Sequence, residues 1–315
     1  MQNLTLKKTG RRAFRNTPSP RESRRRFLSV AGSSLLLAGC AGPGALLTPS
    51  RQSGYVEVPD GRLYYETAGS GQPLVLLHAF TLDTRMWDAQ FDFLAARYRV
   101  IAYDARGFGR SSLPRSGRTY SHFEDLRMLL DKLEAPQPHL VGASMGGRFA
   151  LDFAAMQPDR YRSLALIDGV MGGWNWSPEW LASYAPVIAA SQRKDVAAAK
   201  AAWLAHPVFA TARGDEDVYR RLRQMVADYS GWHFVNHDPA RNVVPPVSAR
   251  LTRIRGPILS LVGEYDMPDF HRMAEKLETE AKAQRSVVSG AGHLSSMGAA
   301  ERVNALLLDF LTRAA

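Results

Sequence analysis

From residue 55 onward the chain switches repeatedly between a strand-like and a helix-like apolar pattern. Tyr55-Val56-Glu57-Val58 and Arg62-Leu63-Tyr64-Tyr65-Glu66-Thr67 flank Pro59-Asp60-Gly61, which predicts a hairpin. Pro73-Leu74-Val75-Leu76-Leu77-His78 is a continuous apolar run, as expected of a strand covered on both faces. Helical spacing follows over about 85–97, with Met86, Trp87, Phe91 and Leu94 as its apolar side, and 98–103 returns to strand. Ser121-His122-Phe123-Glu124 has the form of a capping box, opening a helix that buries Phe123, Leu126, Leu130 and Leu133. A short strand at 139–143 runs into a helix stopped by Pro158, and 163–168 is a further strand. The strand pattern resumes at 257–262, then a helix over about 269–282, a strand at 285–288 and a last helix over about 299–311. Strands alternating with helices predict an α/β architecture: a mostly parallel twisted sheet with helices on both faces. Ligands in such sheets bind beyond the carboxyl ends of the strands.

Between Asp168 and Pro257 the rhythm is broken. A helical cap is expected there, over about 170–250. It carries Trp174, Trp176, Trp180, Trp203 and Trp232, five of the six tryptophans of the chain. Most of these rings are expected to form the cap's own core. Trp174 and Trp176 follow the strand end most closely and are the candidates for lining an apolar substrate pocket.

The strand at 139–143 ends in Gly142-Ala143-Ser144-Met145-Gly146, and a helix follows at once. Gly-x-Ser-x-Gly between strand and helix is the setting of a nucleophile elbow. The turn is so sharp that side chains two positions either side of the serine would collide, hence the glycines. It lifts the Ser144 hydroxyl above the sheet edge and leaves the Met145 N–H at a helix N-terminus, where a developing anion is stabilised. An ordinary glycine-rich turn reads the same way, so the pentapeptide needs partners elsewhere in the chain.

Composition changes the picture mainly at the N-terminus. The chain has 315 residues and a formal net charge of +10. Residues 1–39 hold nine Lys and Arg and one acid, which leaves 31 basic against 29 acidic residues from position 40 onward. The basicity belongs to the leader, so a nucleic-acid-binding footprint is unsupported and no nucleic-acid partner is expected. Ser23-Arg24-Arg25-Arg26-Phe27-Leu28 resembles the twin-arginine export consensus, and Leu37-Ala38-Gly39-Cys40 resembles a bacterial lipoprotein processing box. The apolar stretch 27–37 is too short to span a bilayer, which takes about 20 residues. These resemblances imply an export signal over 1–39, lipidation at Cys40, a tether over 40–54 and a catalytic domain over 55–315. The mature protein is then expected in the bacterial periplasm or cell envelope, held to a membrane by its lipid. Cys40 is the sole cysteine, so no intramolecular disulfide is available.

Taken together the motifs resemble the α/β-hydrolase family over about 55–315. Leu76-Leu77-His78-Ala79-Phe80 resembles its oxyanion segment, and Asp104-Ala105-Arg106-Gly107-Phe108-Gly109-Arg110-Ser111 its Asp-x-Arg-Gly-x-Gly-x-Ser segment. Gly263-Glu264-Tyr265-Asp266 resembles the acid-bearing loop, and Gly290-Ala291-Gly292-His293 the histidine-bearing one. The resemblance implies a triad of Ser144, Asp266 and His293 in the family's order, with the N–H groups of Phe80 and Met145 as the oxyanion hole. Serine needs a base to take its proton, histidine titrates near the working pH, and an acid holds the imidazole in the right tautomer. Asp168 also ends a strand and is the rival acid. Asp269 stands at a helix start, where capping is the blander role. His78 is expected to be a structural histidine beside the oxyanion loop, and Asp104 and Arg106 to anchor their loop. His233 and His237 share a face if their segment is helical, but they lack a zinc-binding pattern. Ala79 departs from the family's usual glycine. If its backbone is left-handed, the Phe80 donor is displaced.

The expectation is a serine hydrolase acting through an acyl-enzyme on a carboxylic ester or related small, apolar acyl compound. No nucleotide fingerprint or metal cluster is apparent, so neither cofactor nor metal is implied. Lactone hydrolysis, C–C bond cleavage and cofactor-free perhydrolysis run on the same triad and stay open. A non-catalytic lipoprotein that keeps the fold to bind a ligand is the rival of another class.

Overall fold

The computed structural model describes residues 50–314; the export motif and Cys40 lie outside them. Eight strands in these residues form one sheet: β1 (Gln52–Val58), β2 (Gly61–Ala68), β3 (Pro73–Leu77), β4 (Arg99–Tyr103), β5 (His139–Ala143), β6 (Ser163–Ile167), β7 (Ile258–Gly263) and β8 (Gln284–Val288). Their order across the sheet is β1-β2-β4-β3-β5-β6-β7-β8. The β1–β2 hairpin and its pairing with β4 are antiparallel, and every other pair is parallel. The sheet is therefore mostly parallel, as its apolar runs require: β3, β5 and β6 are buried at every residue. β1 begins at Gln52, three residues inside the stretch read as tether, because Gln52 and Ser53 already pair with Thr67 and Glu66. The composition of 40–54 hid that pairing.

Helices cover both faces. α1 (Asp88–Ala95) follows a 3-10 turn at Thr84–Trp87, α2 is His122–Lys132 and α3 is Met145–Met156. α3 starts directly after Ser144 and buries Phe149, Phe153 and their small neighbours. The capping box at α2 does not form. Ser121 takes the extended N-cap backbone, but its side chain accepts no cap hydrogen bond, and Glu124 is drawn instead to Arg127 at 2.9 Å. The loop after β4 is held by charge. Arg106, 2% exposed, makes a two-pronged bond to Asp125 on α2 at 2.8 and 2.7 Å. Asp104 accepts the N–H groups of Thr84 and Arg110, both at 2.8 Å. Removing one partner of such a buried pair costs about 3–5 kcal/mol, so the loop under the site is stiff.

After β6 the chain leaves the sheet for the cap: α4 (Pro178–Gln192), α5 (Val196–Ala205), α6 (Ala210–Arg213), α7 (Glu216–Asp228) and α8 (Trp232–Val235). It returns through β7, α9 (Pro268–Ala281), β8, α10 (Ser295–Gly298) and α11 (Ala300–Arg313). No helix of the described residues is long and apolar enough to cross a membrane.

Candidate active site

Ser144 sits between β5 and α3 with φ +48° and ψ −114°. A side chain rarely adopts that backbone, and strain of this kind collects at functional sites. The flanking glycines are sterically forced. A Cβ on Gly142 would lie 2.4 Å from the Gly146 carbonyl oxygen, and one on Gly146 2.1 Å from that of Leu77.

The loops after β7 and β8 bring two more side chains to the serine. His293 Nε2 lies 2.9 Å from Ser144 Oγ, and His293 Nδ1 lies 2.9 Å from Asp266 Oδ2. Asp266 takes its own N–H support from Met267 at 2.7 Å. His293 is 5% exposed. Burial pulls its pKa down, but the charge and hydrogen bond of Asp266, with a smaller contribution from Asp168, outweigh burial and raise it. An imidazole bonded this way keeps Nδ1 protonated towards Asp266 and leaves Nε2 to accept the serine proton.

The other carboxylates do different work. Asp168 accepts the Gly263 N–H at 2.8 Å, the Ser295 N–H at 3.0 Å and the Ser295 hydroxyl at 2.7 Å. It is not bonded to His293. It ties together the loop that carries Asp266 and the loop that carries His293. Burial, then repulsion from Asp266, pushes its pKa up to about 7, against the pull of His293 and the Ser295 donors. Asp269 does not cap its helix; Met267 holds the N-cap position. The Asp269 carboxylate accepts instead from Trp174 Nε1 at 2.9 Å and from the Ser177 hydroxyl at 2.5 Å, anchoring the root of the cap.

Met145 and Phe80, whose N–H groups are the expected oxyanion donors, line the same cavity as Ser144. Met145 is the first residue of α3 and has no intrahelical acceptor for its N–H. Phe80 follows the end of β3. Ala79 keeps a negative φ, and its methyl is buried in the core. The left-handed residue of this loop is Thr81, at φ +64°. The methyl of Ala79 therefore meets no left-handed backbone before Phe80. His78, 2% exposed, is structural: Nε2 accepts the Ala105 N–H at 2.9 Å, so Nδ1 carries the proton and donates to the Ala79 carbonyl at 2.8 Å.

Residues 72–300 match the alpha/beta hydrolase fold family. The chain belongs to that family. It is 32% identical to a 2-hydroxy-6-oxononadienedioate/2-hydroxy-6-oxononatrienedioate hydrolase of Burkholderia vietnamiensis, over 84% of this chain and 98% of that one. Among solved structures it resembles a thermophilic esterase from Thermogutta terrifontis, at 26% identity and TM-score 0.66, covering 84% of this chain and 99% of the esterase. A hydrolase from Pseudomonas aeruginosa is similar at 26% identity and TM-score 0.68, over 82% and 98% of the two chains.

In this hydrolase-fold chain a cavity of about 510 Å³ opens above Ser144 and His293, between the strand ends and the cap. One side is aromatic. Trp176 and Trp180 stack at 4.3 Å, and both meet Phe270 edge-on, which in turn packs 4.2 Å from the His293 ring. Trp176 lines this wall, and Trp174 does not. The bond from Trp174 to Asp269 turns its indole into the cap root. The other side is polar, with Arg148, Asp152, Asn242 and Arg241. Arg148 donates to Asn242 Oδ1 and pairs with Asp152 at 3.5 Å. Helix geometry could have pointed to Arg148, which stands one turn after Ser144 on the same face. Nothing in the spacing of Trp180, Trp203 or Phe209 marks them as lining residues. His233 and His237 do not share a helical face, because α8 ends at Val235. The His233 ring stacks on Phe108 at 4.4 Å, and burial lowers its pKa to about 4, partly opposed by Asp238.

Proposed function

We propose that this protein is a serine hydrolase that cleaves a carboxylic ester or related acyl compound through an acyl-enzyme intermediate. The observation that carries the reading is the continuous hydrogen-bonded chain from Ser144 Oγ through His293 to Asp266, on a strained elbow. Ser144 attacks the acyl carbon while His293 Nε2 takes its proton; Asp266 stabilises the imidazolium. The N–H groups of Met145 and Phe80 hold the oxyanion, each donor being worth about 10²–10³ in rate. His293 returns the proton to the leaving alcohol. Water then attacks the acyl-enzyme, with the same histidine as base.

The cavity bears on the substrate. Its aromatic wall beside His293 suits an apolar or aryl group. Arg148 and Asn242 suit a polar end directed along α3. The relative named as a dienedioate hydrolase and the esterase structure both support hydrolysis of small molecules. Lactone hydrolysis, C–C cleavage and perhydrolysis use the same groups and separate only on substrate. A fluorophosphonate probe tests the reading: it should label the folded protein at Ser144, and Ser144→Ala should abolish labelling. A folded protein that stays unlabelled overturns it.

For location, the twin-arginine and lipoprotein resemblances support export and attachment through lipidated Cys40. Arg24→Lys with Arg25→Lys should leave precursor in the cytoplasm. Unchanged export would contradict the twin-arginine part of this reading.

A further inference from the structure

The oxyanion donor at Phe80 belongs to the sheet side of the molecule, yet the peptide that follows it is held from the cap. The two peptide planes that flank the Phe80 Cα are each pinned at their carbonyl. The Ala79 carbonyl accepts His78 Nδ1–H at 2.8 Å and the Leu82 N–H at 3.1 Å. In a planar trans peptide the N–H points opposite to the carbonyl. Holding the Ala79 oxygen therefore turns the Phe80 N–H to the other side, away from His78. The next carbonyl, that of Phe80 itself, accepts the Thr81 hydroxyl at 2.6 Å. Thr81 Oγ1 in turn accepts Nε1–H from Trp203, at 2.9 Å.

Trp203 is on α5 of the cap, 122 residues further along the chain. Thr81 is 1% exposed and Trp203 6%, so water competes little for either bond. Thr81 is also the residue with left-handed backbone, at φ +64°. A β-branched residue there is strained and persists only when its surroundings over-determine it. The Phe80 ring completes the grip. It makes edge-on contacts with Trp203, Tyr229 and Phe234 of the cap at 5.7 to 6.1 Å.

We propose that Trp203 is a positioning residue for the reaction: through Thr81 it fixes the peptide plane on the far side of the Phe80 Cα, and with the Ala79 carbonyl held by His78 and Leu82 this sets the aim of one of the two oxyanion donors. The cap is thereby part of the catalytic geometry as well as the wall of the pocket. The inference rests on the serine-hydrolase reading and adds a residue that acts through Thr81 and Phe80.

The test uses the full chain, p-nitrophenyl butyrate as substrate, and phenylboronic acid, whose tetrahedral adduct on Ser144 places an oxygen in the hole. Trp203→Phe keeps an aromatic ring, though a smaller one, and removes the N–H. The expected result is a fall in kcat of about 10–100-fold, short of losing a whole donor, with KM changed by about twofold or less. The boronate affinity should fall in parallel with kcat. Thr81→Val removes the hydroxyl at nearly constant shape and should lower kcat in the same way, and Thr81→Ser should recover most of it. The double variant Trp203→Phe with Thr81→Val should be no worse than the poorer single one, because both break one chain of bonds. Wild-type kcat in Trp203→Phe, or a change confined to KM, would overturn the inference and leave the hydrolase reading standing. A wild-type protein inert to both ester and boronate would overturn the hydrolase reading and the inference with it.

Discussion

The strand ends and the cap face each other across one cavity, and they are built by different means. On the sheet side the functional groups are placed by backbone. Ser144 is raised by a turn that only Gly142 and Gly146 permit, and Asp266 and His293 ride on loops cross-braced by Asp168. On the cap side the groups are placed by packing. Trp176, Trp180 and Tyr184 stack in series, and Trp203 reaches down to Thr81. Backbone placement tolerates few substitutions and defines the reaction. Packing tolerates many and, apart from the bond of Trp203 to Thr81, defines what fits. The same division lets one fold host many substrates.

Substitutions should reflect this division in size. Ser144→Ala should lower turnover by about 10⁴–10⁶-fold, and Asp266→Asn by about 10⁴-fold, since each removes a member of the hydrogen-bonded chain. Steady-state kinetics on folded variants measures both. The Asp168→Asn variant sharpens the contrast within the sheet side. It puts an amide N–H₂ against groups that are already donors, so its cost should fall on loop geometry, with about 1–3 kcal/mol of stability lost and a rate effect well below that of Asp266→Asn. The reverse ranking would make Asp168 the catalytic acid.

A smaller effect concerns pH. His293 must be neutral to accept the serine proton, and its pKa is raised above the ordinary 6.5. The acid limb of kcat/KM should therefore fall above pH 6.5. In Asp266→Asn the raising influence is largely gone while burial still lowers the pKa, so the limb of the residual activity should move to lower pH. A limb that stays in place would separate it from His293.

The smallest effects belong to Trp174 and Trp176, at the root and wall of the cap. Trp176→Ala should lower kcat/KM for aryl esters by about tenfold, which is ~1.4 kcal/mol of transition-state binding, and spare short acyl esters. Trp174→Phe should leave the chain-length profile alone. It should cost ~1.5–3 kcal/mol of stability, because it removes a hydrogen bond to a charged group, Asp269. Urea denaturation reads the second and a panel of p-nitrophenyl esters the first. Equal pocket effects for the two tryptophans would break the division drawn above.

The same contrast explains what was legible in the chain. Continuous apolar runs revealed β3, β5 and β6, because strands covered on both faces have no polar side. Gly142, Ser144 and Gly146 were legible because their spacing is a local steric requirement. Asp266 and His293 were legible through the motifs of their loops. The start of β1 at Gln52 was hidden, since its pairing partner lies in β2 and its own composition is that of a linker. The open capping box at Ser121 and the turn of Trp174 towards Asp269 depend on long-range partners that no local pattern contains. Thr81 and Trp203 are the extreme case: one hydrogen bond joins positions 122 residues apart. Trp176 lines the cavity while Trp174 turns to Asp269, although both follow the same strand end, so proximity to a strand end does not by itself place a side chain in a cavity.

The acyl-enzyme itself tests the central claim most directly. Rapid acid quench of the protein with a p-nitrophenyl ester, followed by mass analysis, should show a transient mass increase of one acyl group on the peptide that contains Ser144. That adduct should persist when deacylation is slowed in Asp266→Asn. Steady ester turnover with no adduct, or an adduct on any other residue, would contradict the account.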